Sequence, residues 1–138
     1  MIVSTKGRYA IRVMLDLAAN SDGNYIPMKE VAQRQDVSLK YLEKIMPLLV
    51  GAKLIEGVHG KGGGYKLTRE PREYVIGDIL KLTEGTLAPV ACLECDAVEC
   101  EKKELCLTLP MWSKLNDLIT DFFDGITLDD LLNKKINI

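Results

Sequence analysis

A chain of 138 residues with 47% hydrophobic and 28% charged side chains has the composition of an ordinary globular domain, and is long enough to close one core with a helix appended. No stretch approaches the roughly 18 apolar residues needed to cross a bilayer, and Lys6 and Arg8 interrupt the start of the chain where a signal peptide would carry its apolar segment. The expected location is the cytoplasm, with no membrane partner. Thiols stay reduced there, so the four cysteines read as metal ligands or redox groups before they read as disulfides.

The net charge of −2 hides a gradient. Residues 1–70 hold 11 Lys and Arg against 7 Asp and Glu, whereas residues 71–138 hold 7 against 13. A basic half followed by an acidic half suggests an anion-binding module joined to something else. The basic excess is small, so contacts to phosphate must come from placement.

In chain order, residues 5–20 put Tyr9, Ile11, Val13, Met14, Leu15, Leu17 and Ala18 largely on one helical stripe. The turn residues at 20–24 close that helix. A second short helix is expected over 27–35, opening on Pro27. A tight turn at Asp36 and Val37 leads to a third helix over 38–50, capped by Ser38 and stapled by Val37 and Leu42. Leu39, Leu42, Ile45, Met46 and Leu49 should face inward there, with Lys40, Tyr41, Glu43 and Lys44 outward. Pro47 predicts a kink beyond that exposed face. Short strands over 54–58 and 65–68, around a glycine-rich tip, predict a β-hairpin. Another short helix is expected over 75–82, a loop over 89–106, a longer helix over 109–123 and a last turn or two over 126–132. The fold class is mainly α with a small β-hairpin. The order of elements is that of a winged helix-turn-helix, the middle helices supplying the turn motif and the hairpin the wing.

All four cysteines fall within fifteen residues of one loop: Cys92, Cys95, Cys100 and Cys106. Thiolates are soft ligands suited to zinc or to iron–sulfur clusters. Structural zinc usually takes two tight clips, whereas only Cys92 and Cys95 form a CxxC pair here. One uneven loop wrapping a cluster explains the spacing better, with structural zinc and redox disulfides as the alternatives. The wing run Gly60-Lys61-Gly62-Gly63-Gly64 is not a phosphate loop, since Ile55 and Gly62 stand where such a motif needs Gly and Ser or Thr. Its expected use is a tight hairpin approaching a DNA groove, with His59 and Lys61 near phosphates or base edges; an ordinary flexible hairpin is the alternative. On the third helix, Lys40 and Lys44 suit phosphate or guanine and Tyr41 a phosphate or thymine methyl. Glu43 accepts from cytosine and repels phosphate, which adds selectivity rather than affinity. The same run would otherwise be a solvated helix face. His59 is the only histidine, and no nucleophile, base and orienter come together in sequence, so neither an enzyme nor a small-molecule substrate is expected.

The segments Thr5-Lys6-Gly7-Arg8-Tyr9-Ala10, Ser38-Leu39-Lys40-Tyr41-Leu42-Glu43, Gly60 to Tyr65 and Cys106-Leu107-Thr108 together resemble the bacterial winged-helix iron–sulfur regulators, the family of IscR, NsrR and CymR, with IscR the nearest in pattern. The resemblance spans nearly the whole chain. It implies a homodimeric regulator, a repressor of cluster-assembly or related genes, that reads double-stranded DNA as a palindromic operator. The helix at 109–123 would cross-pair the subunits, giving a DNA-binding domain over 1–85, a cluster-binding loop over 86–108 and a dimerisation helix and tail over 109–138. By the same resemblance the DNA-binding set is Thr5, Lys6, Tyr9, Ser38, Lys40, Tyr41, Glu43, Lys44, His59, Lys61 and Gly62. Ordering of the cluster loop beside the recognition helix would alter how that helix and Glu43 meet DNA.

The pattern departs from the family at the ligands. IscR has three cysteines and a histidine three residues after the last; Leu109 stands at that place here. The family cysteines correspond to Cys92, Cys100 and Cys106, and Cys95 is the added thiol that can complete the set. The acidic ligand that NsrR-type proteins recruit from near the N-terminus is matched by Arg8, which cannot serve. The resemblance thus points to all-cysteine ligation of an iron–sulfur cluster, [2Fe–2S] rather than [4Fe–4S]. The alternative is a cluster-free regulator with structural zinc or a protein-partner signal, as in CymR.

Overall fold

The computed structural model describes residues 3–94 and 97–136. Six helices are ordered α1 Thr5–Ala19, α2 Met28–Gln35, α3 Leu39–Gly51, α4 Ile76–Glu84, α5 Leu109–Asp124 and α6 Leu128–Leu132, with strands β1 Ile55–Val58 and β2 Gly64–Leu67 between α3 and α4. Single 3-10 turns occupy Pro71–Glu73, Ala91–Leu93 and Lys103–Leu105. The winged helix-turn-helix expected from the sequence is present.

Two helices share one construction. In α1 the buried apolar side chains are Ala10, Val13, Met14 and Leu17, and in α3 they are Leu42, Ile45, Met46 and Leu49. Both follow the i, i+3, i+4, i+7 spacing that draws an apolar stripe down one side of a helix. Each starts on a serine cap: Ser4 Oγ accepts from the Gly7 amide at 3.1 Å, and Ser38 Oγ from the Tyr41 amide at 3.1 Å. Between α2 and α3 the backbone turns at Asp36 in the left-handed region, φ 52°, which a short polar side chain tolerates. Leu39, expected inside, is exposed, because it lies in the first turn of α3, before the helix reaches the core. The helix is continuous through Pro47, an exposed position.

Strands β1 and β2 pair antiparallel with Ile55 opposite Leu67 and Val58 opposite Gly64. Ile26, just before α2, extends this ribbon through reciprocal 2.8 Å hydrogen bonds with Tyr65. A Cβ at position 64 would collide with the Ile26 carbonyl, and φ there is +152°, so glycine lets the wing close against the α2 entrance. The base of the wing is fastened by Tyr74, whose buried hydroxyl donates to the Leu54 carbonyl at 2.7 Å and accepts from the Thr68 and Arg69 amides at 3.0 Å.

The chain after α5 returns to this body. Val75 and Thr127 form a bridge, Thr127 caps α6, and Leu128 is fully buried in the core with Leu80, Ile79 and Ile55. Helix α5 rests on α4, with Ile119 and Phe123 packed against the core. None of its residues is fully buried, and Met111, Leu115, Leu118 and Phe122 are exposed at 3–4 residue spacing. No helix among the described residues is long and apolar enough to cross a membrane.

Candidate nucleic-acid interface and cysteine cleft

Helix α3 presents Lys40, Glu43 and Lys44 to solvent on the side opposite its buried stripe. Ser38 is exposed, but its oxygen already serves as the cap acceptor, leaving its O–H free to donate. Tyr41 is half-buried. Its ring meets that of Tyr9 from α1 edge-on, centroids 5.5 Å apart and planes at 78°. Thr5 is exposed and Lys6 half-exposed in the first turn of α1, where no acidic residue opposes them. At the wing tip His59, Lys61 and Gly62 are all exposed; Gly60 and Gly62 have φ of +93° and +78°. His59 and Gly60 share a recess of about 270 Å³ with Pro27 and Met28 at the start of α2.

The turn motif is bolted to α1 by charged groups that local sequence patterns do not reveal. Asp16, with its side chain 1% exposed, accepts from Arg34 Nη2 at 2.8 Å and Nε at 3.0 Å and from Gln35 Nε2 at 2.9 Å. The hydrogen bond to Asp16 raises the Arg34 pKa further above its ordinary value. Such a forked pair satisfies both partners at once, which a buried carboxylate requires. One clue was available: Asp16 falls three residues after Val13 on the buried stripe, where a lone charge demands a partner. At the other end of α1, Ser4 donates from its amide and hydroxyl to Glu84 Oε1 at 3.2 and 2.6 Å. A Cβ on Gly7 would occupy the place that carboxylate takes.

The cysteine loop has a different character. Cys92, Cys100 and Cys106 line one cleft of about 560 Å³, together with Leu93, Val98, Lys103, Leu109 and Ser113. Cys92 and Cys100 are exposed and Cys106 half-exposed, all as free thiols; Cys95 lies outside the described residues. Hydrogen bonds with the Thr108 hydroxyl and backbone hold the Cys106 thiol below its usual pKa, favouring the thiolate. Among the described residues, no three His, Cys, Asp or Glu side chains are gathered closely enough to hold a metal ion. The donor chemistry nevertheless suits a soft metal group, because three thiols open on one cleft, whose other lining is divided between apolar Leu93, Ala97, Val98 and Leu109 and polar Glu94, Glu99, Lys103 and Ser113. Leu109 lies in that lining and offers no ligand atom. The lining comes from the loop and the start of α5, with no residue of α3 in it.

These features define a winged-helix DNA-binding protein with an appended thiol-rich loop. The chain belongs to the Rrf2 family, described as iron-dependent transcriptional regulators, whose family model matches residues 3–134. It is similar to the HTH-type transcriptional regulator IscR of Pectobacterium atrosepticum, 36% identical over 135 residues, covering 98% of this chain and 81% of the relative. Among solved structures, CymR, the global cysteine regulator of B. subtilis, superposes with a TM-score of 0.79 at 32% identity, covering 97% of this chain and 98% of that one. T. potens IscR superposes with a TM-score of 0.74 at 34% identity, covering 99% and 89%. The chain is therefore a DNA-binding transcription regulator; its relatives are named for regulation and not for catalysis.

Proposed function

We propose that the protein is a homodimeric regulator whose Cys92, Cys95, Cys100 and Cys106 hold an iron–sulfur cluster, favoured as [2Fe–2S], and that it represses cluster-assembly or related genes from a palindromic operator. The observation that carries this reading is the shared cleft of Cys92, Cys100 and Cys106, on a chain whose relatives include IscR. Bound there, the cluster would supply a redox-sensitive charge and a crosslink between distant points of the loop.

On the DNA side, α3 would enter the major groove, with Lys40, Tyr41, Glu43 and Lys44 toward base edges and phosphates. Thr5, Lys6 and Tyr9 would flank it from α1, Ser38 from its own N-terminus, and His59, Lys61 and Gly62 from the wing. The exposed Met111, Leu115, Leu118 and Phe122 stripe on α5 supports pairing with a second copy, since an amphipathic helix normally buries its apolar faces. With all cleft residues drawn from the loop and α5, the loop's influence on α3 would pass through the dimer or through the α4 end.

Gel-shift titration of candidate promoters with cluster-loaded and apoprotein tests the reading. A several-fold or larger difference in affinity is expected; equal affinities across candidate promoters would defeat it. A cluster-free regulator is the second reading, favoured by the spread of the thiols and the fit to CymR. Metal and sulfide assays separate the two, because sulfide accompanies only a cluster.

A further inference from the structure

An exposed cation beside a recognition helix is by default a phosphate contact, and Arg12 on α1 is exposed. Two of its three side-chain nitrogens are engaged with Gln35. Nε donates to Gln35 Oε1 at 3.1 Å, and Nη2 donates to the Gln35 backbone carbonyl. Gln35 is the last residue of α2, next to the left-handed turn at Asp36, and its amide is bound in turn to the buried Asp16. The Arg12 Cζ lies over the Tyr9 ring, 4.8 Å from its centre. Tyr9 meets Tyr41, the half-buried aromatic of the recognition helix, at 5.5 Å. One side chain thus joins the end of α2, the middle of α1 and the first turn of α3.

We propose that Arg12 is a positioning residue for DNA recognition: clamped to Gln35 and seated over the Tyr9 ring, it fixes the angle at which Tyr41 stands on α3. The proposal rests on the reading of α3 as the DNA-recognition helix. The geometry requires arginine. A planar fork bonds two acceptors in one plane while its face lies on an aromatic ring. Lysine keeps the charge but is a point donor on a flexible stem and cannot do all three. Asp16 is the fixed end of the arrangement, because its carboxylate is buried and held by Arg34 and Gln35.

The test uses the full-length protein. Duplexes are enriched from a random pool by the wild-type protein, and affinity is measured for an enriched duplex and a scrambled one at several salt concentrations. Wild type, R12K and R12Q are compared, and R12K is also placed in a Tyr41→Ala background. Positioning predicts that R12K and R12Q each lose on the order of tenfold in the enriched-to-scrambled ratio, comparable to spoiling one base contact, with the salt slope of wild type. It also predicts that R12K costs nothing more once Tyr41 is gone, because coupled residues are non-additive. A phosphate contact gives the reverse: R12K keeps the ratio, and R12Q lowers the salt slope by about one. That result, or full additivity of R12K with Tyr41→Ala, overturns the proposal. If wild type enriches no duplex over the scrambled one, the recognition reading itself fails, a result distinguishable from failure of the Arg12 role.

Discussion

The winged-helix body and the cysteine loop obey opposite rules of construction. In the body, apolar stripes from α1, α3, α4 and α6 meet in one core, and none of its buried side-chain polar atoms lacks a partner among the described residues. In the loop and on α5, Val98, Leu105 and Leu107 are 91%, 84% and 95% exposed, and the α5 stripe faces outward. The loop and α5 leave apolar surface and thiols exposed, which fits the second copy proposed for the stripe and the metal group proposed for the thiols. In the proposed regulator such a division would separate the responding loop from the body that reads DNA, since switching elements are drawn from the less stable parts of a fold.

Substitutions can break or sharpen that contrast. Leu42→Ala empties a fully buried site on α3 and should cost about 2–5 kcal/mol, read from urea unfolding at fixed protein concentration; a loss below about 1 kcal/mol would mean the body is looser than its packing indicates. Leu118→Asp, on the exposed α5 stripe, should weaken self-association by several kcal/mol through the cost of burying a charge. Sedimentation should then show monomer with far-ultraviolet dichroism unchanged, and an unaltered dimer would remove the stripe from the interface. Tyr74→Phe strips the hydroxyl that fastens the wing base and should cost about 1–3 kcal/mol, visible as a lowered Tm. Leu107→Ala in the apoprotein should change stability by no more than about 0.5 kcal/mol. A larger loss would show that the partner subunit covers the loop.

Legibility in the sequence followed the same division. Helices α1 to α3 and the wing were readable because each writes its own local signal: a 3–4 residue apolar stripe, a serine cap at Ser38, glycines at the hairpin tip. The observed α5, Leu109–Asp124, differs from the expected helix by one residue. What stayed hidden joins residues far apart in the chain. The Ile26–Tyr65 bridge, the Asp16–Arg34 pair, the Tyr74 hydroxyl and the Ser4–Glu84 joint have no sequence period, because each partner is placed by the fold around it. The apolar residues of α5 were readable as a stripe, but not their division into Ile119 and Phe123 against the body and Leu115, Leu118 and Phe122 toward solvent. In the cysteine loop, spacing named the thiols, and the structure adds that Cys92, Cys100 and Cys106 open on one cleft that Leu109 also lines.

The most direct measurement is the visible absorption spectrum of anaerobically purified protein, with iron, sulfide and zinc assayed on the same sample and on Cys92→Ser, Cys100→Ser and Cys106→Ser variants. Brown protein with near-equal iron and sulfide, bleached in each variant, is the expected result. Colourless protein, carrying zinc or no metal, would contradict the cluster assignment and leave a winged-helix regulator with a different signal.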